Sequence, residues 1–339
     1  MSSSKGIRLF MYLIYVTCYL ISKTFVSSMS INVYDNVLSK LSCDVLHREA
    51  SKAGLGHKSF TRPMVNKDSH PIIEQALDDI LSELGDDINE KEVQYVEYWT
   101  RQEWRHIEAH ADIDEHLAKE QDLDYSHDQS FRYPQNGHVL YLKIGSKVRG
   151  PTCVFPGRSQ GGDLLKHSSK FMNHDPNNVD LVVVPAKEGR LLRFPGEDLH
   201  AVPRPADLWF LPFVQGAAQF EPEEEWGRSV ILFNTWTNAP PKDVPLDAMA
   251  SPVSNNASFS INPFCDWINT FNPKKVEICS SIYDQEDSSE NISAKIWLLG
   301  NERRRGYSMR TVKLSTSSDV KDAMLESQKV NQMTMQIPQ

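Results

Sequence analysis

The apolar residues of this chain follow two different spacings in its N-terminal and C-terminal parts. In the range 72–84, IIEQALDDILSEL, they recur at helical spacing with acidic residues between them, which predicts an amphipathic helix packed on something larger. From about Gly137 the apolar runs become short, β-rich and separated by clusters of Gly, Pro, Asn and Asp. These runs predict the strands GHVLYLKIG, PTCVF, VDLVVVP, GRLLRF and SVILFNTW.

The predicted strands have no amphipathic helices between them. This order indicates an antiparallel sandwich or barrel rather than a doubly wound parallel sheet, with a jelly roll as the leading candidate. After Trp236 a run rich in Pro, Ser and Asn is typical of a long surface connection. The later stretch AKIWLLGNERRRGYSMRTVKLS predicts a β-hairpin that extends the sheet or covers an edge, and the polar stretch from about Thr316 is expected to be loosely ordered.

The N-terminus has the layout of a secretory signal peptide. Lys5 and Arg8 precede an apolar run from Leu9 to Ile21, and small and polar residues follow it. The run is shorter than the ~20 residues that span a bilayer, so cleavage is favoured and an uncleaved signal anchor is the alternative. We therefore predict the secretory pathway, either the endoplasmic reticulum lumen or secretion, with membrane attachment only if this segment is retained.

These patterns divide the chain into four parts. We predict a signal peptide or anchor at 1–28, an N-terminal helical support region at 29–95, a jelly-roll domain at 96–240, and a linker with a C-terminal hairpin extension at 241–339. The predicted fold class is thus mainly β, a jelly roll flanked by N-terminal helices and a C-terminal hairpin.

The charge of the chain bears on whether it binds nucleic acid. The net charge of −9 and the pI of about 5.7 argue against a broad nucleic-acid-binding face, which needs clustered Lys and Arg.

Beyond the apolar leader the cysteines are Cys43, Cys153, Cys265 and Cys279. An even number permits disulfides in an oxidising compartment, with Cys265 and Cys279 as the favoured pair, while four free buried thiols are the alternative.

The stretch HIEAHADIDEH at 106–116 concentrates residues that bind metals, and three interpretations are open. A zinc-protease helix needs Glu directly after the first histidine, and Ile107 takes that place. A solvated polar helix is the second interpretation. In the third, His110 and Asp112 lie on an extended strand, where residues i and i+2 project from the same face and can meet one metal ion.

The third interpretation needs another ligand, and His200 in GRLLRFPGEDLHAVP supplies a candidate. Two histidines and one carboxylate leave three coordination positions open, which suits a non-haem Fe(II) centre that binds a cosubstrate and O2 together. We predict that the side-chain tips of His110, Asp112 and His200 converge to within ~6 Å of one another.

Taken in order, these motifs resemble the 2-oxoglutarate and Fe(II)-dependent dioxygenases, which are built on a double-stranded β-helix, also called a jelly roll. The resemblance extends from about Trp99 to Trp236. It rests on His110-Ala111-Asp112, the strand HVLYLKIG, the turn Gly161-Gly162-Asp163-Leu164, the segment with His200, and Arg228 at the start of RSVILFNTW.

The resemblance implies roles for residues outside the metal triad. An Arg at the start of a late strand pairs with the distal carboxylate of 2-oxoglutarate in the family, and a guanidinium suits that task because it donates two parallel hydrogen bonds. Arg228 is the candidate here; Arg204 competes, but it lies between two prolines where no strand can continue. Tyr141 is a second candidate for the same carboxylate, and strand alternation predicts Lys143 on its face.

By this resemblance the chain is expected to be an oxidoreductase that uses Fe(II), 2-oxoglutarate and O2, with ascorbate compatible as a reductant, and that releases succinate and CO2. The substrate is unknown, with a peptide or protein side chain preferred over a small molecule. The alternatives are a cupin enzyme that does not use 2-oxoglutarate and a non-catalytic jelly-roll binding module. The remaining histidines are expected to be surface or structural residues: His106, His116, His138, His167 and His174.

Overall fold

A computed structural model describes the chain in segments. They are residues 31–54, 56–64, 66–85, 93–103, 107–121, 131–145, 151–157, 178–202, 227–246, 273–280, 292–298, 310–316 and 330–336. The predicted signal segment 1–28 lies outside them. The range Asn32–Gln339 forms one compact unit. No helix in the described segments is both long and apolar enough to cross a membrane.

About half of the described residues belong to β-strands. The first strands are β1 (Asn32–Asp35), β2 (Lys58–Arg62), β3 (Gln94–Glu103), β4 (Ile107–His110) and β5 (Asn136–Ile144). They are followed by β6 (Thr152–Phe155), β7 (Asn178–Val184), β8 (Leu191–Pro195), β9 (Leu199–Val202) and β10 (Gly227–Thr237). The last are β11 (Lys274–Lys275), β12 (Cys279–Ser280), β13 (Ile292–Leu298), β14 (Arg310–Thr316) and β15 (Asn331–Gln336).

The strands form two sheets, in the orders β11-β1-β8-β5-β10-β3-β2 and β12-β15-β7-β6-β9-β4-β13-β14. Between β3 and β10 the chain passes repeatedly from one sheet to the other, so that β3, β5, β8 and β10 are in the first sheet and β4, β6, β7 and β9 are in the second. All pairings among these eight strands are antiparallel. The mainly β class is confirmed, and this connectivity is consistent with a jelly roll.

Two helices, α1 (Lys40–Lys52) and α2 (Ile72–Glu83), form one core with the outer face of the first sheet. The short helix α3 (Glu115–Glu120) packs in a separate small cluster with Ile113 and Phe131, and a 3₁₀ turn spans Lys67–Ser69. The Ser39 side chain caps α1 by accepting a hydrogen bond from the Ser42 backbone N–H. Apolar residues of α1 and α2 pack on residues of this outer face, including Leu140 and Phe233. The helix predicted from the spacing at 72–84 is therefore present as α2.

The flanking regions contain more β structure than the sequence patterns indicate. The range 29–95 supplies β1 and β2 to the first sheet in addition to α1 and α2. The predicted C-terminal hairpin corresponds to β13 and β14, which pair antiparallel. The tail expected to be loosely ordered contains β15, which pairs with β7 from Asn331 to Gln336. β15 lies between the two-residue strand β12 and β7, so backbone pairing orders a segment whose polar composition does not predict a strand.

Substituting Leu77 tests how much the packing of α2 on the first sheet stabilises the fold. Its side chain is completely buried in the core between α2 and the first sheet. Leu77→Ala leaves a cavity, so we expect the free energy of unfolding in urea to fall by about 2–5 kcal/mol. Leu41→Ala is the matched control, because Leu41 on α1 is 66% exposed and its truncation should change stability by less than about 0.5 kcal/mol. Equal effects of the two substitutions would contradict this packing.

Candidate metal centre

The candidate site lies between the inner faces of the two sheets. On the second sheet, His200 of β9 is directly opposite His110 of β4 and Val154 of β6, so the three side chains share one face. On the first sheet, Arg228 of β10 contacts Thr152 of β6, and Asn234 of β10 contacts Asp112, so both side chains face the second sheet. The hydrogen bond from Asn234 to Asp112 shows that this face of the first sheet lies opposite the histidines of the second sheet.

The structure brings His110, Asp112 and His200 together. Their candidate ligand atoms all lie within 4.8 Å of one another. His110 Nε2 is 3.7 Å from Asp112 Oδ1, and His200 Nε2 is 4.0 Å from Asp112 Oδ2. An ion bonded to each at about 2.1 Å would bring neighbouring ligand atoms to about 3 Å, a contraction within reach of small side-chain rotations.

The local structure of the H-x-D motif differs from a single extended strand. His110 is the last residue of β4, and Asp112 lies just beyond the strand end. The polar-helix interpretation of the whole stretch is wrong, because helix α3 begins only at Glu115 and is capped by the Asp114 side chain. The strand end aims His110 across to His200, and the turn after it brings the Asp112 carboxylate back to the same point.

His200 is held in a defined orientation. Its Nδ1 lies 3.4 Å from the backbone carbonyl oxygen of Asp198. A carbonyl can only accept, so Nδ1 donates in this contact, and Nε2 is the ring nitrogen that faces Asp112. The Phe194 ring, with its centroid 4.8 Å from that of His200, packs against the imidazole. An imidazole oriented in this way can offer its Nε2 to a metal ion.

The electrostatics of the three groups favour an ionised carboxylate. Burial by itself would raise the pKa of Asp112, but His200, His110 and the hydrogen bond from Asn234 together hold it below its ordinary value. Asp112 is therefore charged at neutral pH. Two imidazoles and a carboxylate form a nitrogen and oxygen donor set that suits Fe(II), and among the described residues no cysteine joins the cluster.

Arg228 lies in the same inter-sheet space and is almost fully buried. Its Nη2 donates to Thr152 Oγ1 at 3.1 Å, and its guanidinium carbon lies 5.3 Å from the centre of the Tyr141 ring. The Tyr141 and Thr152 hydroxyl oxygens are 2.7 Å apart. Arg228 Nε has no hydrogen-bond partner, and no carboxylate among the described residues pairs with this cation. The group is thus a buried positive charge with donor capacity to spare.

Lys143 does not share the face of Tyr141, so the alternation argument is wrong at this point. A register shift between Ser229 and Val230 leaves Ser229 opposite Lys143 and Val230 opposite Tyr141, with one extra residue on β5. This β-bulge turns Lys143 to the helical layer, where its Nζ contacts Asp44 Oδ1 at 2.7 Å. The inner face at this end of the site therefore carries Arg228 as its cation and not Lys143.

The other predicted residues divide into two groups. His138 is buried on the helix side and stacks on Phe233, and His116 is exposed and pairs with Asp243, so neither is near the triad. Cys43 and Cys153 are free and buried, and burial raises the pKa of the Cys43 thiol to about 12. The remaining residues lie outside the described segments: Arg204, His106, His167, His174, Cys265 and the turn Gly161–Leu164.

Several residues of the site were not found from the sequence. Asn234 and Thr152 are uncharged and belong to no motif, so only strand pairing could have indicated them. The side chains of His57, Glu97 and Trp99 form a further group next to Asn234, because Glu97 is opposite Asn234 on β3. The His57 ring stacks on Trp99 with centroids 4.4 Å apart, and its Nδ1 lies 2.7 Å from Glu97 Oε1.

Gly137 keeps space open beside the triad. A Cβ atom at this position would lie 2.8 Å from two carbons of the Phe194 ring and 3.5 Å from Asn234 Oδ1. We expect Gly137→Ala to lower the free energy of unfolding in urea by about 1–3 kcal/mol, because the added methyl group overpacks the site. Phe194 would be pushed toward His200, so metal affinity should fall as well.

Gly56→Ala is the control for this substitution, since nothing lies within 4 Å of a Cβ at Gly56. It should leave both stability and metal affinity unchanged. A Gly137→Ala protein with wild-type stability and metal affinity would show that Phe194 moves away without affecting His200.

Comparison with known proteins gives similarity at the level of structure. No protein-family model and no curated protein matches the chain. A prolyl-4-hydroxylase from Pseudomonas putida is 12% identical with a TM-score of 0.35, over 63% of this chain and 90% of that one. A viral collagen prolyl hydroxylase from Paramecium Bursaria Chlorella virus-1 is 19% identical with a TM-score of 0.33, over 62% and 90%.

A third solved structure is HygX from Streptomyces hygroscopicus with nickel and 2-oxoglutarate bound. It is 14% identical with a TM-score of 0.32, over 63% of this chain and 85% of that one. These three structures are 12–19% identical to the chain, with TM-scores of 0.32–0.35.

Proposed function

We propose that this protein is an Fe(II)- and 2-oxoglutarate-dependent dioxygenase that hydroxylates a substrate. The observation that carries the proposal is the convergence of His110, Asp112 and His200 within 4.8 Å between the two sheets. Such a facial set of two imidazoles and one carboxylate leaves three positions free on a six-coordinate ion. These positions would be available to a 2-oxo acid and to O2.

Arg228 supports 2-oxoglutarate as the cosubstrate. A buried cation without a carboxylate partner is costly unless a ligand supplies the missing negative charge. The distal carboxylate of 2-oxoglutarate supplies it, with Nε and the remaining guanidinium N–H groups as donors. Tyr141 and Thr152 flank this position with hydroxyl groups, and Tyr141 also packs its ring against the guanidinium.

The residues of the chain have separate tasks in the proposed reaction. His110, Asp112 and His200 hold the ion, and Arg228 fixes the far end of the cosubstrate so that its keto acid end reaches the metal. With O2 and 2-oxoglutarate, Fe(II) supplies the oxidising chemistry: a C–H bond of the substrate becomes C–OH, while 2-oxoglutarate becomes succinate and CO2. The fully buried Tyr141 and the surrounding sheet faces keep bulk water from the cosubstrate.

The wider assignment follows from the sequence. We propose 96–240 as the catalytic jelly roll of the double-stranded β-helix type, 29–95 as its support region, 241–339 as an extension and 1–28 as a signal peptide or anchor. A secretory location would place the enzyme among secretory proteins, so a peptide or protein side chain is the proposed substrate. No nucleic-acid partner is proposed, since the net charge is −9.

The proposal is tested by succinate formation from 2-oxoglutarate under air, with Fe(II) and ascorbate and without any other substrate. We expect slow turnover by the wild-type protein and none by Asp112→Ala. If neither protein turns over, 2-oxoglutarate is titrated into the Fe(II) protein without O2. Binding would show that the missing substrate gates the reaction; no binding would contradict the proposal and favour a cupin enzyme of other chemistry or a binding module.

A further inference from the structure

Asn234 makes a contact that bears on how Asp112 binds metal. It lies on β10, is 2% exposed, and its Nδ2 donates to Asp112 Oδ2 at 3.2 Å. An ionised carboxylate can only accept hydrogen bonds, so the amide nitrogen and not the amide oxygen must face Asp112. The two oxygens of Asp112 are therefore not equivalent.

The other carboxylate oxygen, Oδ1, has no hydrogen-bond donor among the described residues and faces His110 Nε2 at 3.7 Å. We propose that Asn234 is a positioning residue that reserves Oδ2 and leaves Oδ1 as the single metal-binding atom of Asp112. A carboxylate bound through both oxygens would occupy a fourth position on a six-coordinate ion. Only two positions would then remain for a chelating 2-oxo acid and O2, which together need three.

The surroundings of Asn234 keep its amide available for this bond. Glu97, a carboxylate that could compete for the amide, is its cross-strand neighbour on β3. Both Glu97 oxygens already have partners: Oε1 lies next to His57 Nδ1, and Oε2 accepts a hydrogen bond from Trp236 Nε1. On the other side Gly137 is the cross-strand neighbour on β5, and it offers no side chain that could bind the amide or displace it. Asp112 is thus the carboxylate to which the Asn234 donor is directed.

This inference rests on the proposed metal site. A titration with Co(II) tests the metal site and the role of Asn234 separately. Co(II) is titrated into the purified full chain, and its affinity and visible absorption, whose intensity depends on coordination number, are recorded. Asn234→Leu keeps a similar volume and removes the donor. We expect it to bind Co(II) about 10- to 100-fold more weakly than wild type and with a changed spectrum. Adding 2-oxoglutarate should shift the spectrum less than in wild type.

Thr235→Val is the matched control. Thr235 is the next residue on β10, projects from the opposite face, is fully buried, and its Oγ1 has no hydrogen-bond partner among the described residues. This isosteric change should leave the affinity and spectrum of the Co(II) protein unchanged. If the leucine variant does not fold, Asn234→Asp keeps the shape and replaces the donor with an acceptor, and the wild-type spectrum should again be lost.

The outcomes separate the two proposals. A wild-type protein that does not bind Co(II) overturns the metal site and this inference with it. A wild-type protein that binds Co(II), together with an Asn234→Leu variant of the same affinity and spectrum, overturns only the role of Asn234. Equal losses in Thr235→Val and Asn234→Leu would also overturn it, because they would reflect a disturbed strand.

Discussion

Replacing His200 with alanine is expected to abolish metal binding and turnover. His200 supplies one of three ligands, and its ring is held by Asp198 and Phe194 with Nε2 toward Asp112. Removing groups that merely orient a ligand typically weakens metal binding 10- to 100-fold, so loss of a ligand should cost at least about 100-fold. Fe(II) titration without O2 measures the affinity, and succinate formation should fall to the level of the metal-free protein.

His116→Ala is the appropriate control for this variant. His116 belongs to the same histidine-rich stretch, but its side chain is 52% exposed and pairs with Asp243 at 3.0 Å. The substitution should leave Fe(II) affinity unchanged. Retained affinity in a folded His200→Ala protein would show that the ion is bound elsewhere.

The second large effect is expected from Arg228→Ala on the affinity for 2-oxoglutarate. Truncating one partner of a buried charge pair typically costs about 2–5 kcal/mol, which corresponds to a weakening of roughly 30-fold or more. Metal affinity should be nearly unchanged, because Arg228 contacts Thr152 and Tyr141 and not the triad. Calorimetric titration of 2-oxoglutarate into the metal-loaded protein without O2 measures this affinity.

Lys143→Gln controls for the loss of a positive charge near the same strand end. Lys143 is opposite Ser229, the neighbour of Arg228, but it points to Asp44 on the helix side. Its replacement should leave 2-oxoglutarate affinity unchanged. If Arg228→Ala also leaves it unchanged, the cosubstrate carboxylate is bound by another cation, with Arg204 as the first candidate.

The sequence predicts the parts of this fold that repeat with a regular period. Apolar runs between turn residues indicate the strands from Asn136 to Thr237, and helical spacing indicates α2. The triad is predictable because metal ligands are chemically distinctive and His200 follows a strand and a tight turn. What turns these residues into a site is the pairing of β4 with β9, which puts His200 opposite His110.

The features that cannot be predicted from the sequence depend on contacts between strands that are distant along the chain. The bulge opposite Ser229 and Val230 reverses the face of Lys143, and nothing in the run LYLKIG indicates an extra residue. Asn234 reaches Asp112 across more than a hundred residues of chain, through the space between two sheets. Thr152 is similar, since a threonine in a buried strand is ordinary until Arg228 and Tyr141 meet it.

The most direct test of the central claim is X-ray diffraction from crystals of the protein soaked with Mn(II) and 2-oxoglutarate, recorded to locate the anomalous signal of the metal. The account predicts one manganese ion bonded at about 2.2 Å to His110, Asp112 and His200, with 2-oxoglutarate chelating it and its far carboxylate on Arg228. A metal peak elsewhere, or no peak at the triad despite bound manganese in solution, would contradict it.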